Sequence, residues 1–270
     1  MATPRAPRHF DDAVSATVSD PGKSGFFFDF DGTIAPIMRD PEAVLPVAGV
    51  MECLRELTKL VGRVAVVSAR PAAFLSDRFA RLPGVRLFGL YGMQTVIDGR
   101  VHTDAEVAPW APVMRRLAAD AARELPGDVL VQDASLMVSL HYRAAPALRG
   151  AVERWSSGKA AELGLVEQFG RMVVELRPPV GRDKGTIVAA EIAPLTSAWY
   201  FGDDLSDGRA FDALRLRERR DPAFTGVAVA VANGETGDEL ARAADFTLDS
   251  PDETAAMLND VIRAFPGARI

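Results

Sequence analysis

Apolar residues cluster in short, nearly unbroken runs that end abruptly on polar or small residues. Phe26-Phe27-Phe28, Val64-Ala65-Val66-Val67, Trp199-Tyr200-Phe201 and Val227-Ala228-Val229-Ala230-Val231 are apolar at consecutive positions, the pattern of parallel strands buried on both faces. Strands are expected at 25–30 and 63–68, with a short one around 86–90. Helical spacing appears near 47–61 and 71–81. From about residue 101 the pattern changes. Pro109 and Pro112 precede a helix near 112–124, strands at Val129–Gln132 and Leu136–Tyr142, a helix near 146–163 and a strand at Arg171–Arg177. Pro178-Pro179-Val180-Gly181 closes that stretch, and strand-helix alternation then resumes. The pattern therefore predicts a core of βαβ units at 23–105 and 181–270, interrupted by a small α/β cap at 106–180. Residues 1–22, rich in Pro, Ala and Ser, are expected to form a loosely held arm. No internal repeat or low-complexity tract is evident.

At 270 residues the chain has room for one large or two modest domains. The formal net charge of −6 argues against nucleic acid or an anionic membrane as partner. Cys53 is the single cysteine. It falls near the apolar face of a predicted helix and reads as a buried thiol, with no disulfide possible within the chain. No apolar stretch is long enough to span a bilayer, and residues 1–24 lack the apolar centre of a signal peptide. The expectation is a cytoplasmic protein, with a monomer as default.

The strongest chemical signal is Asp29-Phe30-Asp31-Gly32-Thr33 at the end of the first apolar run. On an extended backbone, residues two apart face the same side, so Asp29 and Asp31 point into one volume. One carboxylate there can attack phosphorus while the other donates a proton to the departing oxygen and later takes one from water. Two acids beside a phosphate also imply a divalent cation. Asp-Gly is a common hairpin turn, but Pro36, Met38, Arg39 and Pro41 follow instead of a returning strand.

Three distant segments extend the signal. Ser68 ends the second apolar run, where its hydroxyl can hold a phosphoryl oxygen or cap the helix that starts near Pro71. Lys184, in Gly181-Arg182-Asp183-Lys184-Gly185, falls in a first helical turn, where a cation opposes the helix dipole. It is either splayed into solvent or held by an anion. Asp203, Asp204 and Asp207 crowd the end of another buried strand, which calls for a cation.

Nucleophile and acid, hydroxyl, lysine and acidic cluster, in that order, resemble the motifs of the haloacid dehalogenase-like phosphatases. Within that superfamily the chain is similar to the trehalose-6-phosphate phosphatases. The resemblance is carried by Ile34-Ala35-Pro36-Ile37, Gly89-Leu90-Tyr91-Gly92, Leu140-His141-Tyr142-Arg143, Glu175-Leu176-Arg177-Pro178 and Gly202-Asp203-Asp204. It implies an α/β fold, a Rossmann-like doubly wound parallel sheet with the site at the carboxyl edge. It further implies Asp29 as nucleophile, Asp31 as general acid/base, and Ser68 and Lys184 on the phosphoryl oxygens. Mg²⁺ would be held by Asp29, the main chain of Asp31 and Asp203, with Asp204 and Asp207 close by. Thr33, Arg70, Tyr91, Gly92, Gln132, Arg143, Glu175 and Arg177 would meet the sugar phosphate. Taken on residue type alone, Glu175 reads as an ordinary strand residue and His141 as a structural histidine.

Departures from the family pattern bear on the substrate. Where the family has Glu-Asp-Lys-Gly, this chain has Gln132-Asp133-Ala134-Ser135. Gln94 replaces a common Glu, and Ser206-Asp207-Gly208 stands in place of Thr-Asp-Glu. Charge is thus expected to be missing around the leaving group. Three outcomes fit: an ordinary trehalose-6-phosphate phosphatase, a phosphatase for a trehalose-like pseudodisaccharide phosphate, or a catalytically weak sugar-phosphate-binding protein. Restoring the pair with Gln132→Glu and Ala134→Lys is expected to improve turnover of trehalose 6-phosphate.

Overall fold

The computed structural model describes residues 8–38, 40–170, 172–232 and 238–267. Its larger sheet places β1 (Ser24–Phe28) between β2 (Arg63–Val67) and β10 (Ser197–Gly202). The sheet continues through β3 (Val85–Gly89) on one side and β11 (Thr225–Val231) and β12 (Phe246–Leu248) on the other, all parallel. A hairpin of β4 (Gln94–Ile97) and β5 (Arg100–Thr103) adds an antiparallel edge that the sequence reading did not anticipate.

The two faces of this sheet carry different side chains. Phe26, Phe28, Trp199, Phe201, Val227 and Val229 pack beneath α1 (Phe10–Ser19), α2 (Val50–Leu60), α3 (Ala72–Phe79) and α9 (Pro251–Arg263). Phe28 stacks on Phe201 at 5.0 Å and Phe26 on Trp199 at 5.7 Å. The opposite face offers Ala65, Ala198, Ala228 and Ala230 around Phe27 and Tyr200. These small residues let α6 (Lys184–Glu191), α7 (Gly208–Arg220) and α8 (Asp238–Ala243) lie close. Helices on both faces of a parallel sheet define the doubly wound class.

A second sheet, antiparallel in the order β6–β7–β9–β8, is built from β6 (Leu130–Asp133), β7 (Val138–His141), β8 (Val166–Gly170) and β9 (Val173–Arg177). Val138, Leu140, Val174 and Leu176 bury one face together with Met114, Leu117 and Ala121 of α4 (Ala111–Glu124) and Val152 of α5 (Arg149–Leu163). Period-two alternation then turns Gln132, Ser139, His141, Glu175 and Gln168 to the other face. Strand β8 had escaped the sequence reading. Arg171, the expected start of β9, lies outside the described residues, as do residues 1–7 of the arm.

The remainder of the arm is not loose. Phe10–Ser19 is a helix with Ala13, Val14 and Thr17 buried. Trp199 Nε1 donates to Thr17 Oγ1 at 2.8 Å, and Phe10 meets the Trp199 ring edge-on at 6.0 Å. Its alternation of small and acidic residues hid an apolar stripe that only the neighbouring strand reveals.

Candidate active site

The carboxyl ends of β1, β2 and β10 and the start of α6 converge on one volume. Asp29 directly follows β1, its amide donating to Phe201 O at 2.9 Å, so the sheet ladder itself fixes the carboxylate. Asp183 caps α6 through a capping box with Thr186, which places Lys184 in the first turn. Lys184 Nζ lies 2.9 Å from Asp29 Oδ2 and 2.7 Å from Asp207 Oδ1, and only 2% of its surface is exposed. Of the two readings open to this lysine, the structure thus selects the one held by anions.

Asp207 also accepts from Tyr200 Oη at 2.7 Å and from the amides of Asp203 and Asp204 at 3.1 Å. With both oxygens engaged, it acts in the structure as the anchor of Lys184 and of the 203–207 turn. Its expected place among the metal ligands is correspondingly weaker, although oxygens of Asp29, Asp203 and Asp207 lie within 4.8 Å of one another. Asp204 accepts from the Ser206 amide at 2.7 Å and from the Ser206 hydroxyl at 2.6 Å, closing the same turn.

Thr33 is not a substrate contact here. It is fully buried and donates to Asp203 Oδ1 at 3.3 Å, so it steadies that carboxylate. Gly32 has a φ of +78°, and a Cβ there would lie 2.1 Å from Asp203 Oδ2. Glycine is what lets the β1 loop come up against Asp203. Gly92 belongs to a comparable packing constraint: its φ is +83°, and a Cβ would strike Ile187 of α6 at 2.6 Å.

Burial raises Asp29 well above the usual carboxylate range, with Lys184 pulling it back and Asp207 and Asp204 pushing it up. Asp203 is raised likewise, first by burial and then by Asp29 and Asp207. One lysine does not balance these acids. An all-oxygen donor set short of positive charge fits a hard divalent cation.

Ser68 Oγ accepts from the Arg70 amide at 3.2 Å, leaving its hydroxyl hydrogen free to donate. It does not cap α3. The α3 amide of Ala72 is instead satisfied by Gln94 Oε1 at 3.1 Å. Gln94 therefore faces a helix terminus, which corrects the expectation that its lost charge faced the leaving group.

Arg70 sits on the acid/base candidate. Its Nε and Nη2 each donate to Asp31 at 2.7 Å, through separate carboxylate oxygens.

The cap sheet faces this cluster. Register aligns Gln132, Ser139, Glu175 and Gln168 across its four strands. Tyr91, buried in the core, reaches across: its hydroxyl donates to Glu175 Oε2 at 2.7 Å and accepts from Gln168 Nε2 at 3.2 Å. Burial, followed by Glu175, raises the Tyr91 phenol well above its usual value, so it remains a donor. Glu175 is itself raised by burial against that hydrogen bond. Arg177 lies over the Tyr91 ring at 5.4 Å and donates to Arg182 O. His141 Nε2 is 3.2 Å from Gln132 Oε1. Arg143 is exposed just beyond β7. Gln168 was missed with its strand, because Val166-Glu167-Gln168-Phe169 shows no apolar–polar alternation.

An apolar cluster of Leu90, Tyr91 and Met93 from the core with Val107, Ala134, Leu136 and Met137 from the cap seals the junction. Ala134, where a charge was expected, is 8% exposed within it.

Residues 27–252 match the family described as trehalose-phosphatase. A trehalose-phosphate phosphatase of Mycobacterium marinum is 36% identical over 245 residues, which cover 85% of this chain and 59% of that protein. The chain thus spans well under two thirds of the length of the first curated relatives it matches. Among solved structures, a trehalose-6-phosphate phosphatase related protein superposes with a TM-score of 0.66 at 25% identity, covering 88% of this chain and 96% of that one. The C-terminal domain of a C. albicans trehalose-6-phosphate phosphatase gives a TM-score of 0.76 at 21% identity, over 94% of this chain and 96% of that one. At that identity the likeness speaks for the fold.

Proposed function

The chain belongs to the trehalose-phosphatase family, and from that premise we propose that it is a magnesium-dependent phosphomonoester hydrolase that releases phosphate from trehalose 6-phosphate. The observation that carries this reading is the buried set of Asp29, Lys184 and Asp203 beside the more open Asp31. Asp29 attacks phosphorus and forms an aspartyl-phosphate. Asp31 gives its proton to the departing sugar oxygen, then takes one from the water that hydrolyses the acyl phosphate. Lys184 and the Ser68 hydroxyl hold the phosphoryl oxygens. Asp29 and Asp203, with the Asp31 main chain, would hold Mg²⁺, whose contribution is to offset the charge of the phosphate beside the acids. Glu175, Gln132 and Arg143 on the cap's inner face supply the polar groups that select a sugar.

Phosphate release from trehalose 6-phosphate, other sugar phosphates and p-nitrophenyl phosphate, with Mg²⁺ and with excess chelator, tests the proposal. Mg²⁺-dependent turnover that favours trehalose 6-phosphate is expected. Full activity in chelator would rule out the cation, and absence of turnover of any phosphomonoester would favour a binding protein. A second reading, a phosphatase whose substrate differs in the second ring, is favoured by Ala134, which puts a methyl group in an apolar junction where the family pattern carries a charge. Preference for another disaccharide phosphate would support it.

A further inference from the structure

Arg70 was expected to meet the substrate, yet its guanidinium is committed elsewhere. Both oxygens of Asp31 accept from it, from Nε and Nη2 at 2.7 Å each. Such a fork fixes the plane of a carboxylate as well as its position. This matters for Asp31 because the terminal torsion of an aspartate is broad, and the Asp31 side chain is 32% exposed. Left alone, it would sample many orientations.

The arginine is itself held from several directions. Its amide donates to Ser68 Oγ at 3.2 Å, and its carbonyl accepts from Leu90 N at 2.9 Å. The guanidinium lies 4.5 Å from the centre of the Phe74 ring, with Arg78 at 3.7 Å from the same ring. Phe74 meets Phe30 edge-on at 5.6 Å, and Phe30 is the residue between Asp29 and Asp31. The Arg70 side chain is 12% exposed, so the pair is not the loose surface kind that contributes little.

We propose that Arg70 is a positioning residue for Asp31: its fork, braced on Phe74, sets the carboxylate in the orientation from which it exchanges a proton with the leaving oxygen and with water. Proton donation needs one Asp31 oxygen free, so one arm of the fork opens in the reactive complex while the other keeps the register. Arg70 forms no bond to the reacting atoms. The inference rests on the assignment of Asp31 as acid/base and adds the residue that makes its geometry reproducible.

The test compares leaving groups that need a proton with one that does not. Arg70→Met and Arg70→Lys are assayed on trehalose 6-phosphate and on p-nitrophenyl phosphate, alone and combined with Asp31→Asn. General acid–base help is worth ~10²–10⁴-fold. Arg70→Met is therefore expected to lower kcat on the sugar phosphate by about tenfold or more, to leave KM within about twofold, and to leave the pre-steady-state burst of p-nitrophenol, which needs no proton from Asp31, little changed. Arg70→Lys, which keeps the charge and loses the fork, should share the defect. In the Asp31→Asn background neither substitution should cost anything further. A rise in KM on both substrates that persists beside Asp31→Asn would overturn the proposal and make Arg70 a phosphate ligand. Equal loss of the first, leaving-group step on both esters from Asp31→Asn alone, read in single-turnover release of sugar and of p-nitrophenol, would instead remove the assignment of Asp31 as the acid. If Arg70→Met does not fold, Phe74→Leu carries the test by removing the brace: a selective kcat loss on the sugar phosphate supports the proposal, and its absence overturns it.

Discussion

Lys184 occupies a position in which a cation is costly to remove. It is buried between Asp29 and Asp207, and its ammonium is raised well above its usual value because both carboxylates outweigh the burial that opposes it. Lys184→Met would leave two buried carboxylates uncompensated, and breaking a buried pair in this way costs ~3–5 kcal/mol. The melting temperature is expected to fall sharply, and saturating Mg²⁺ should recover part of the loss in thermal unfolding scans, because the ion supplies the missing charge. His141 illustrates the opposite balance. Burial, then Arg70 and Arg143, press its pKa from 6.5 down to about 4. Between those values the unfolded chain binds a proton that the folded one refuses, so this group's contribution to stability falls as pH drops through that window. The urea midpoint of the wild type should therefore fall more between pH 7.5 and pH 5 than that of His141→Gln. Equal slopes would place the acid sensitivity elsewhere.

The elements were readable from the chain where one pattern dominated. Apolar runs located β1, β2, β10 and β11, with Asp29, Ser68 and Asp203 just past three of their ends, and Lys184 was legible as a cation in the first turn of α6. What stayed hidden depended on partners remote in sequence. Strand β8 is short and half polar because one face turns inward to the site. Helix α1 is amphipathic only in relation to Trp199, and the roles of Thr33 and Gln94 follow from where their side chains point, which residue type does not encode. The α1 docking has a direct check. Thr17→Val keeps the shape of the side chain but leaves Trp199 Nε1 without its 2.8 Å partner. An unsatisfied buried donor costs ~1–3 kcal/mol, so a melting temperature several degrees lower is expected, with the proposed phosphatase activity unaffected at low temperature. An unchanged melting temperature would mean that the helix contributes little to the core.

At the scale of the whole molecule, the cap and core are joined by an apolar seal and by the Tyr91–Glu175–Gln168 bridge, while the Arg182–Asp104 ion pair ties together the two core segments at the chain crossings. The seal alters one expectation from the sequence. A lysine at position 134 would bring its side chain into the apolar cluster of Leu90, Met93, Leu136 and Met137. Burying an unpaired charge is expensive, so Ala134→Lys is now expected to loosen the cap. KM for the sugar phosphate should rise, p-nitrophenyl phosphate turnover should change little, and protease cleavage near the crossings should accelerate. A lowered KM would restore the original idea that this position reaches the substrate.

The central strand also imposes an order on synthesis. Gly25 of β1 pairs with Arg63 of β2 early in the chain, but the strand's other side is completed only when β10 emerges and Ser197 pairs with Ser24. At ~5–20 residues per second, roughly 10–35 s separate the appearance of Asp29 from that of Asp203. During that interval the whole cap sequence emerges, while Phe26, Phe27 and Phe28 still lack β10 on one side. A nascent chain of this design therefore carries its most apolar strand with one open edge until β10 emerges, and the acidic cluster is completed only after the cap has been made.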